Sequence, residues 1–348
     1  MIDWRLAGLV AQGVASAGPA VPAGADAPFR ALAGPAEESA RLVGAYTGLV
    51  PVAPLPVAQA VDRPGWIGFN LRGMRGVLDP VADRLGRGFG PLGAPLRAAG
   101  GGLLALEVGA LSGVLAQRVM GQYEFPVLDP SVPARLLFVA PNLAHAARSL
   151  QADPDDLLRW VALHEITHAL QFGGVPWLRE YVADAVRGLL EEVDVRLDLG
   201  KLAGGGDLRA AVEAARRGDL VTFMLGDEQR ERLERMQAFM AVLEGYAEHV
   251  MDAVGAQVLP NLGELRAALD QRRRERSGLL RLFEKLIGFD MKMRQYVQGK
   301  AFCDGVVARE GIAALNRVWD APERMPTPAE LQDPGAWLDR TGPAAAGA

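Results

Sequence analysis

Residues 164–168 read His-Glu-Ile-Thr-His, and they are the part of the sequence best suited to chemistry. On a helix, side chains four positions apart project from one face, so His164 and His168 can bind one metal ion. Zinc suits them because it accepts neutral imidazole nitrogens at about 2.0–2.1 Å. Glu165 lies about 100° around the helix from His164, beside the ion rather than on it. The spacing therefore predicts a Zn2+ site with a carboxylate next to the ion.

Such a site would support hydrolysis. Zinc lowers the pKa of a bound water to about 7, and Glu165 can accept the proton that the water loses. The alternative is a pair of histidines hydrogen-bonded on a helix face, with Glu165 in solvent. The chain contains four histidines, and two of them have ligand spacing around a glutamate inside a predicted helix. That context favours the metal site.

A clear start signal precedes the motif. The run Asp153-Pro154-Asp155-Asp156 supplies a capping residue, a proline at the first helical position and two acids at the positive end of the helix dipole. The pair Gly173-Gly174 predicts the helix end. The two imidazoles should therefore lie in the middle of a helix that begins at residue 154 and ends near residue 172.

A catalytic zinc needs a third protein ligand and one open position. The metzincin extension would require glycine at position 171 and histidine at 174, where this chain has Gln171 and Gly174. A long predicted helix over 228–254 instead carries Glu244 and Glu248 one turn apart. We expect Glu244 to be the ligand and Glu248 to accept the N–H of a ligand imidazole.

Other residues compete for these roles. His249 is the rival third ligand, but it points about 140° away from Glu244 on a helix, and Glu180 is an outside candidate. If Glu244 binds the ion, His249 becomes a candidate for stabilising the oxyanion of a tetrahedral intermediate, because such an intermediate needs a donor besides the metal. Tyr246 is the second candidate for that catalytic role. Further candidates are Arg179 and Tyr296.

The rest of the chain predicts a mainly α fold with a small β component. The best strand candidates are Tyr123–Leu128 and Arg135–Val139, which are short runs bounded by Pro, Asp and Asn. From residue 154 onwards helix follows helix. We therefore expect a mostly helical N-terminal segment over 1–120, a helical catalytic domain with a short β element over 121–320, and a loose C-terminal tail over 321–348.

Composition excludes several classes of protein. The formal charge is −5 over 348 residues, which argues against electrostatic binding of nucleic acid. One cysteine leaves no disulfide framework. The most apolar window, 103–116, is shorter than the roughly 20 residues that a membrane span needs, and the N-terminus lacks the pattern of a secretory signal. These features predict a cytoplasmic protein without a membrane span.

Four segments together resemble the zincin-like metallopeptidase family, whose members are often described as proposed hydrolases or as proteins associated with deazaflavin-coenzyme biosynthesis in actinobacteria and relatives. The resemblance covers roughly residues 60–320. It implies a zincin-like, mostly helical domain, with His164, His168 and Glu244 as ligands and Glu165 as the catalytic residue. Members often have Asp where this chain has Glu248. The segments are 164–172, Pro176-Trp177-Leu178-Arg179-Glu180, 243–252, and Gln295-Tyr296 with Gly299 and Phe302.

Together these features predict a zinc-dependent hydrolase, most directly a metallopeptidase, that acts on a peptide or amide. Glu165 would take a proton from the attacking water and pass it to the leaving amine. The alternative from another class is a non-catalytic zincin scaffold that keeps the metal site for binding or assembly. Hydrolysis of a non-peptide amide is a third possibility.

Overall fold

The computed structural model describes residues 2–87, 94–129, 131–191, 227–274 and 289–342. The fold is mainly helical with one three-stranded sheet, so the predicted fold class is confirmed. Contacts divide the chain into two compact units. The first comprises Met1–Ala183 and Ala253–Leu265, and the second comprises Asp184–Asp252 and Arg266–Ala348.

The first unit begins with helices that pack through small residues. Helix α1 lies along α4, and a Cβ added at Gly113 would stand 2.6 Å from the carbonyl oxygen of Ala11. Glycine is therefore needed there because the two backbones approach closely. These N-terminal helices are α1 (Trp4–Ser16), α2 (Ala33–Thr47), α3 (Arg63–Arg87) and α4 (Ala94–Ala116).

A small mixed sheet crosses this unit in the order β1-β3-β2. Strand β1 (Ala58–Val61) pairs parallel with β3 (Arg135–Val139), and β2 (Gly121–Glu124) pairs antiparallel with β3. The prediction for β3 is confirmed. Strand β2 lies earlier in the chain than the sequence predicts. It ends before Pro126, which has no backbone N–H to donate to a neighbouring strand. β2 is an edge strand, and α6 contacts it.

The helix that carries the motif follows β3 and α5 (Ala140–Leu150). Helix α6 runs from Pro154 to Gly174, and the Asp153 carboxylate accepts hydrogen bonds from the backbone N–H groups of Asp155 (2.9 Å) and Asp156 (3.1 Å). The predicted helix start is confirmed. Most of α6 is buried, so its polar motif lies in a well-packed part of the unit.

Helix α7 (Leu178–Glu191) begins in the first unit, where Trp177 and Tyr181 make an edge-on ring contact of 5.5 Å. Within the described residues, no helix combines the length and the apolar character that crossing a bilayer would require.

The second unit is built on long helices. The predicted long helix is confirmed as α8, which spans Asp227–Val258. A Cβ added at Gly245 would stand 2.5 Å from the carbonyl oxygen of Gly299, so α8 and α10 cross in backbone contact at these glycines. Buried aromatic residues include Tyr246, Phe302 and Trp337. The other helices are α9 (Leu262–Arg274), α10 (Phe289–Glu310), α11 (Ile312–Leu315) and α12 (Pro334–Thr341). The end of α8 and the start of α9 fall within residues 253–265, which belong to the first unit.

Candidate metal centre

Helix α6 brings the two motif imidazoles together as its i, i+4 spacing predicts. The Nε2 atoms of His164 and His168 lie 3.2 Å apart, and their rings meet nearly edge to face. Two nitrogens at that separation, each about 2.0–2.1 Å from one zinc ion, would subtend roughly 100° at the metal. That angle is near the tetrahedral value, so the separation fits the pair to zinc.

Gln171 fixes the orientation of one of these imidazoles. Its Oε1 atom lies 2.9 Å from Nδ1 of His168, and its side chain is fully buried. Because an amide oxygen can only accept, Nδ1 carries the proton and Nε2 presents its lone pair. Sequence analysis used Gln171 only to exclude the metzincin pattern. Its position three residues after His168, on the same helix face, is the signal that could have identified it.

The edge strand β2 holds Glu165. The backbone N–H of Tyr123 donates a 2.8 Å hydrogen bond to Oε2 of Glu165, whose side chain is buried. A Cβ at Gly121 would lie 2.6 Å from Cγ of Glu165 and 2.7 Å from Cγ1 of Val161. Glycine at position 121 therefore lets the strand approach the carboxylate closely, and this contact fixes the plane of the carboxylate.

Glu244, the predicted third ligand, lies on α8 in the second unit. Two imidazoles and one carboxylate are a donor set that zinc accepts in catalytic sites, where three protein ligands leave one coordination position open. The chemistry of this donor set and the spacing of the imidazoles therefore fit zinc.

The remaining predicted site residues on α8 have polar partners in the second unit. Glu248 receives a 3.2 Å hydrogen bond from Arg266. The hydroxyl of Tyr246 donates to Oδ1 of Asn316 at 2.8 Å, and Tyr246 is fully buried beside Trp319. These contacts fix both side chains.

His249 is bound by an acidic partner on α10. Its Nδ1 lies 2.7 Å from Oδ1 of Asp304, and Asp304 also pairs with Lys300. Burial raises the pKa of Asp304, but the hydrogen bonds from His249 and Lys300 outweigh it and leave that pKa below its ordinary value. Asp304 is therefore charged at neutral pH and holds the His249 ring in a fixed orientation.

Arg179 is linked to the Glu165 carboxylate through Tyr123, whose backbone N–H binds that carboxylate. Its Nη2 atom donates a 2.7 Å hydrogen bond to the Tyr123 hydroxyl. Glu180, the outside candidate for the third ligand, lies exposed in the first turn of α7. The side chain of Tyr296 lies outside the described part of the structure.

Comparisons with known proteins identify a family and a similar structure for this chain. Residues 2–338 match the model of a family described as zincin-like metallopeptidase. A crystal structure from Chloroflexus aurantiacus, described as a proposed hydrolase with a novel fold, is 31% identical, covers 98% of each chain and superimposes with a TM-score of 0.70. No curated protein matches significantly. Because the family match extends over nearly the whole sequence, the chain belongs to the zincin-like metallopeptidase family.

Proposed function

We propose that this protein is a zinc-dependent hydrolase that cleaves peptide bonds. The observation that carries the proposal is the buried Glu165 carboxylate, held by strand β2 beside two imidazoles whose Nε2 atoms face each other. His164, His168 and Glu244 would hold the ion. When bound, zinc supplies a Lewis acid that polarises a carbonyl and lowers the pKa of water to about 7.

Glu165 is the proposed general base and acid. The hydrogen bond from Tyr123 N occupies one lone pair of Oε2 and orients the carboxylate. A carboxylate in this orientation takes a proton from the attacking water and later delivers it to the leaving amine. Burial of Glu165 keeps bulk water from competing for that proton.

The family and the sheet edge support a peptide as the substrate. Strand β2 is an edge strand in contact with the motif helix. Edge strands present backbone groups with which an extended chain can pair. An extended substrate paired with β2 would bring a backbone amide near Glu165. A compact amide has no extended backbone and could not pair with the strand.

We also propose His249 and Tyr246 as donors to the oxyanion. Asp304 accepts from Nδ1 of His249, which makes Nε2 the atom that donates when the ring is protonated. Tyr246 would have to redirect its hydroxyl from Asn316. Glu248 keeps its proposed role as acceptor for a ligand imidazole, with Arg266 orienting its carboxylate.

The variant Glu165→Gln tests this proposal directly. Removing the general base should lower the cleavage rate of a peptide library by at least about a hundredfold. Zinc content, measured by elemental analysis, should stay at the wild-type level because Glu165 is not a ligand. Glu37→Gln is the matched control, since Glu37 is exposed on α2.

Two results would contradict parts of the proposal. If zinc binds but neither peptides nor amides are cut, the protein is a non-catalytic scaffold. If amides are cut and peptides are not, the hydrolase assignment stands and the peptidase assignment fails. A preparation without any transition metal after growth in zinc-supplemented medium would contradict the metal site itself.

A further inference from the structure

Arg179 is a half-buried cation that is linked to the proposed general base through one tyrosine. It lies in the first turn of α7, and its Nη2 donates to the Tyr123 hydroxyl at 2.7 Å. The backbone N–H of the same tyrosine donates to Glu165 at 2.8 Å. One tyrosine therefore connects the guanidinium to the carboxylate.

The charge of Arg179 is not balanced locally. Among the residues that the structure describes, its polar partner is the neutral phenol of Tyr123, and no carboxylate lies within ion-pair distance. Burial raises the pKa of Tyr123 above its ordinary value, and this effect outweighs the opposite effect of Arg179. The phenol is therefore neutral at physiological pH. By contrast, Arg135 pairs with Glu124 at 3.0 Å and Arg317 with Glu310 at 2.6 Å.

The guanidinium lies beside a cluster of aromatic rings. The Arg179 Cζ atom lies 5.5 Å from the centre of the Phe125 ring, and Phe125 and Phe172 have ring centroids 4.5 Å apart. Tyr123 stacks on Phe172 at 5.9 Å. A cation in such surroundings attracts an anion more strongly than it would in water.

The chemistry of the two donors specifies the ligand. A guanidinium offers five N–H donors in a planar fork, and the contact with Tyr123 uses one of them. The Tyr123 oxygen accepts from Arg179, so its own hydroxyl proton can be donated to a further acceptor. A fork of N–H groups with an O–H beside it matches the planar geometry of a carboxylate.

We propose that Arg179 and the Tyr123 hydroxyl bind a carboxylate of the substrate, so that this hydrolase prefers substrates with a carboxylate close to the bond that is cut. The proposal rests on the hydrolase function proposed above. The carboxylate can be the C-terminus of a peptide or an acidic side chain, and both present the same two oxygens.

Matched substrates distinguish these sources. The best-cleaved library peptide would be prepared as the free acid, as the C-terminal amide, and as the amide with one glutamate at each position in turn. Wild-type kcat/KM should be about tenfold to a hundredfold higher for one carboxylate-bearing form than for the plain amide. A preference for the free acid identifies the C-terminus, and a preference for one glutamate position identifies a side chain.

The variant Arg179→Gln should remove this preference: the ratio of kcat/KM for the carboxylate-bearing form to kcat/KM for the plain amide should fall to about one, through a higher KM for the carboxylate-bearing form. Tyr123→Phe should reduce the preference partly, because the ring stays and the hydroxyl is lost. Arg5→Gln, an exposed change in α1, is the control. Equal losses on all substrates would overturn the proposal and assign Arg179 to the oxyanion. A wild-type enzyme without any carboxylate preference would also overturn it.

A binding measurement separates this proposal from the hydrolase function. Calorimetry on Glu165→Gln would compare N-acetylphenylalanine with its primary amide, with and without Arg179→Gln. We expect tighter binding of the acid, lost in the double variant. If peptides are never cut but this difference is found, the hydrolase function fails and the carboxylate site stands. If peptides are cut and the difference is absent, the carboxylate site alone fails.

Discussion

Gln171 illustrates how one uncharged side chain can determine the chemistry of a ligand. By accepting from Nδ1 of His168, its amide oxygen selects the tautomer that presents Nε2 as a lone pair. Partners of ligand histidines raise ligand basicity and fix ring orientation. At this position glutamine does so without adding a negative charge to the buried motif.

Replacing Gln171 by leucine should weaken zinc binding by about tenfold to a hundredfold, because the imidazole would lose its orienting acceptor. Competition with a chromophoric chelator would measure the affinity. Gln171→Glu keeps an acceptor oxygen and should stay closer to the wild-type affinity. Equal affinities for the wild type and the leucine variant would show that the hydrogen bond does not tune the ligand.

At the scale of elements, the approach of β2 to α6 depends on a residue without a side chain. Gly121→Ala would place a methyl group 2.6 Å from Cγ and 2.9 Å from Oε1 of Glu165. We expect a loss of about 1–3 kcal/mol in the free energy of unfolding, together with slower hydrolysis. Gly13→Ala in α1 is the control, since nothing lies within 4 Å of the added Cβ. Unchanged stability and activity at position 121 would contradict this account.

The crossing of α8 and α10 also requires a residue without a side chain, at Gly245 next to Glu244. A Cβ at Gly245 would stand 2.5 Å from Gly299 O and from Lys300 N, atoms of a helix backbone that cannot move aside cheaply. Gly245→Ala should therefore lower the unfolding free energy by about 1–3 kcal/mol, measured by urea denaturation. Gly263→Ala in α9, where the added Cβ meets nothing within 4 Å, should be neutral or stabilising.

At the scale of the whole molecule, paired carboxylates connect stability to pH. Glu330 accepts from Arg340 Nε (2.5 Å) and Nη2 (2.9 Å) and from Thr327 N (2.9 Å). Burial opposes ionisation, but these hydrogen bonds outweigh it and lower the pKa of Glu330. A lowered folded-state pKa means that the stabilisation is complete above the unfolded-state pKa of about 4.3 and is lost as pH falls through the folded-state value.

Glu330→Gln should therefore cost about 1 kcal/mol of stability at pH 7 and less as the pH falls below about 4. Urea denaturation midpoints at pH 7, 4 and 3 would show whether the difference in stability between the variant and the wild type becomes smaller as the pH falls. Glu323→Gln, an exposed change in the same segment, should follow the wild type throughout. A difference that stays constant from pH 7 to pH 3 would show that ionisation of Glu330 does not stabilise the fold.

The sequence by itself determined the helical class, the start of α6 and the convergence of His164 and His168, because capping and i, i+4 spacing act over a few residues. It also identified Glu244 as a ligand candidate. All of these inferences used local geometry or the resemblance to one family.

Tertiary structure decided the contacts that join distant segments. No local pattern places the Tyr123 N–H against Glu165, 42 positions away, or Asp304 against His249, 55 positions away. Strand β1 was not predicted, because a four-residue strand next to prolines carries little signal until its partner β3 is known. Local energetics select helices and side-chain spacing, whereas the partners of a buried polar group depend on how the whole chain packs.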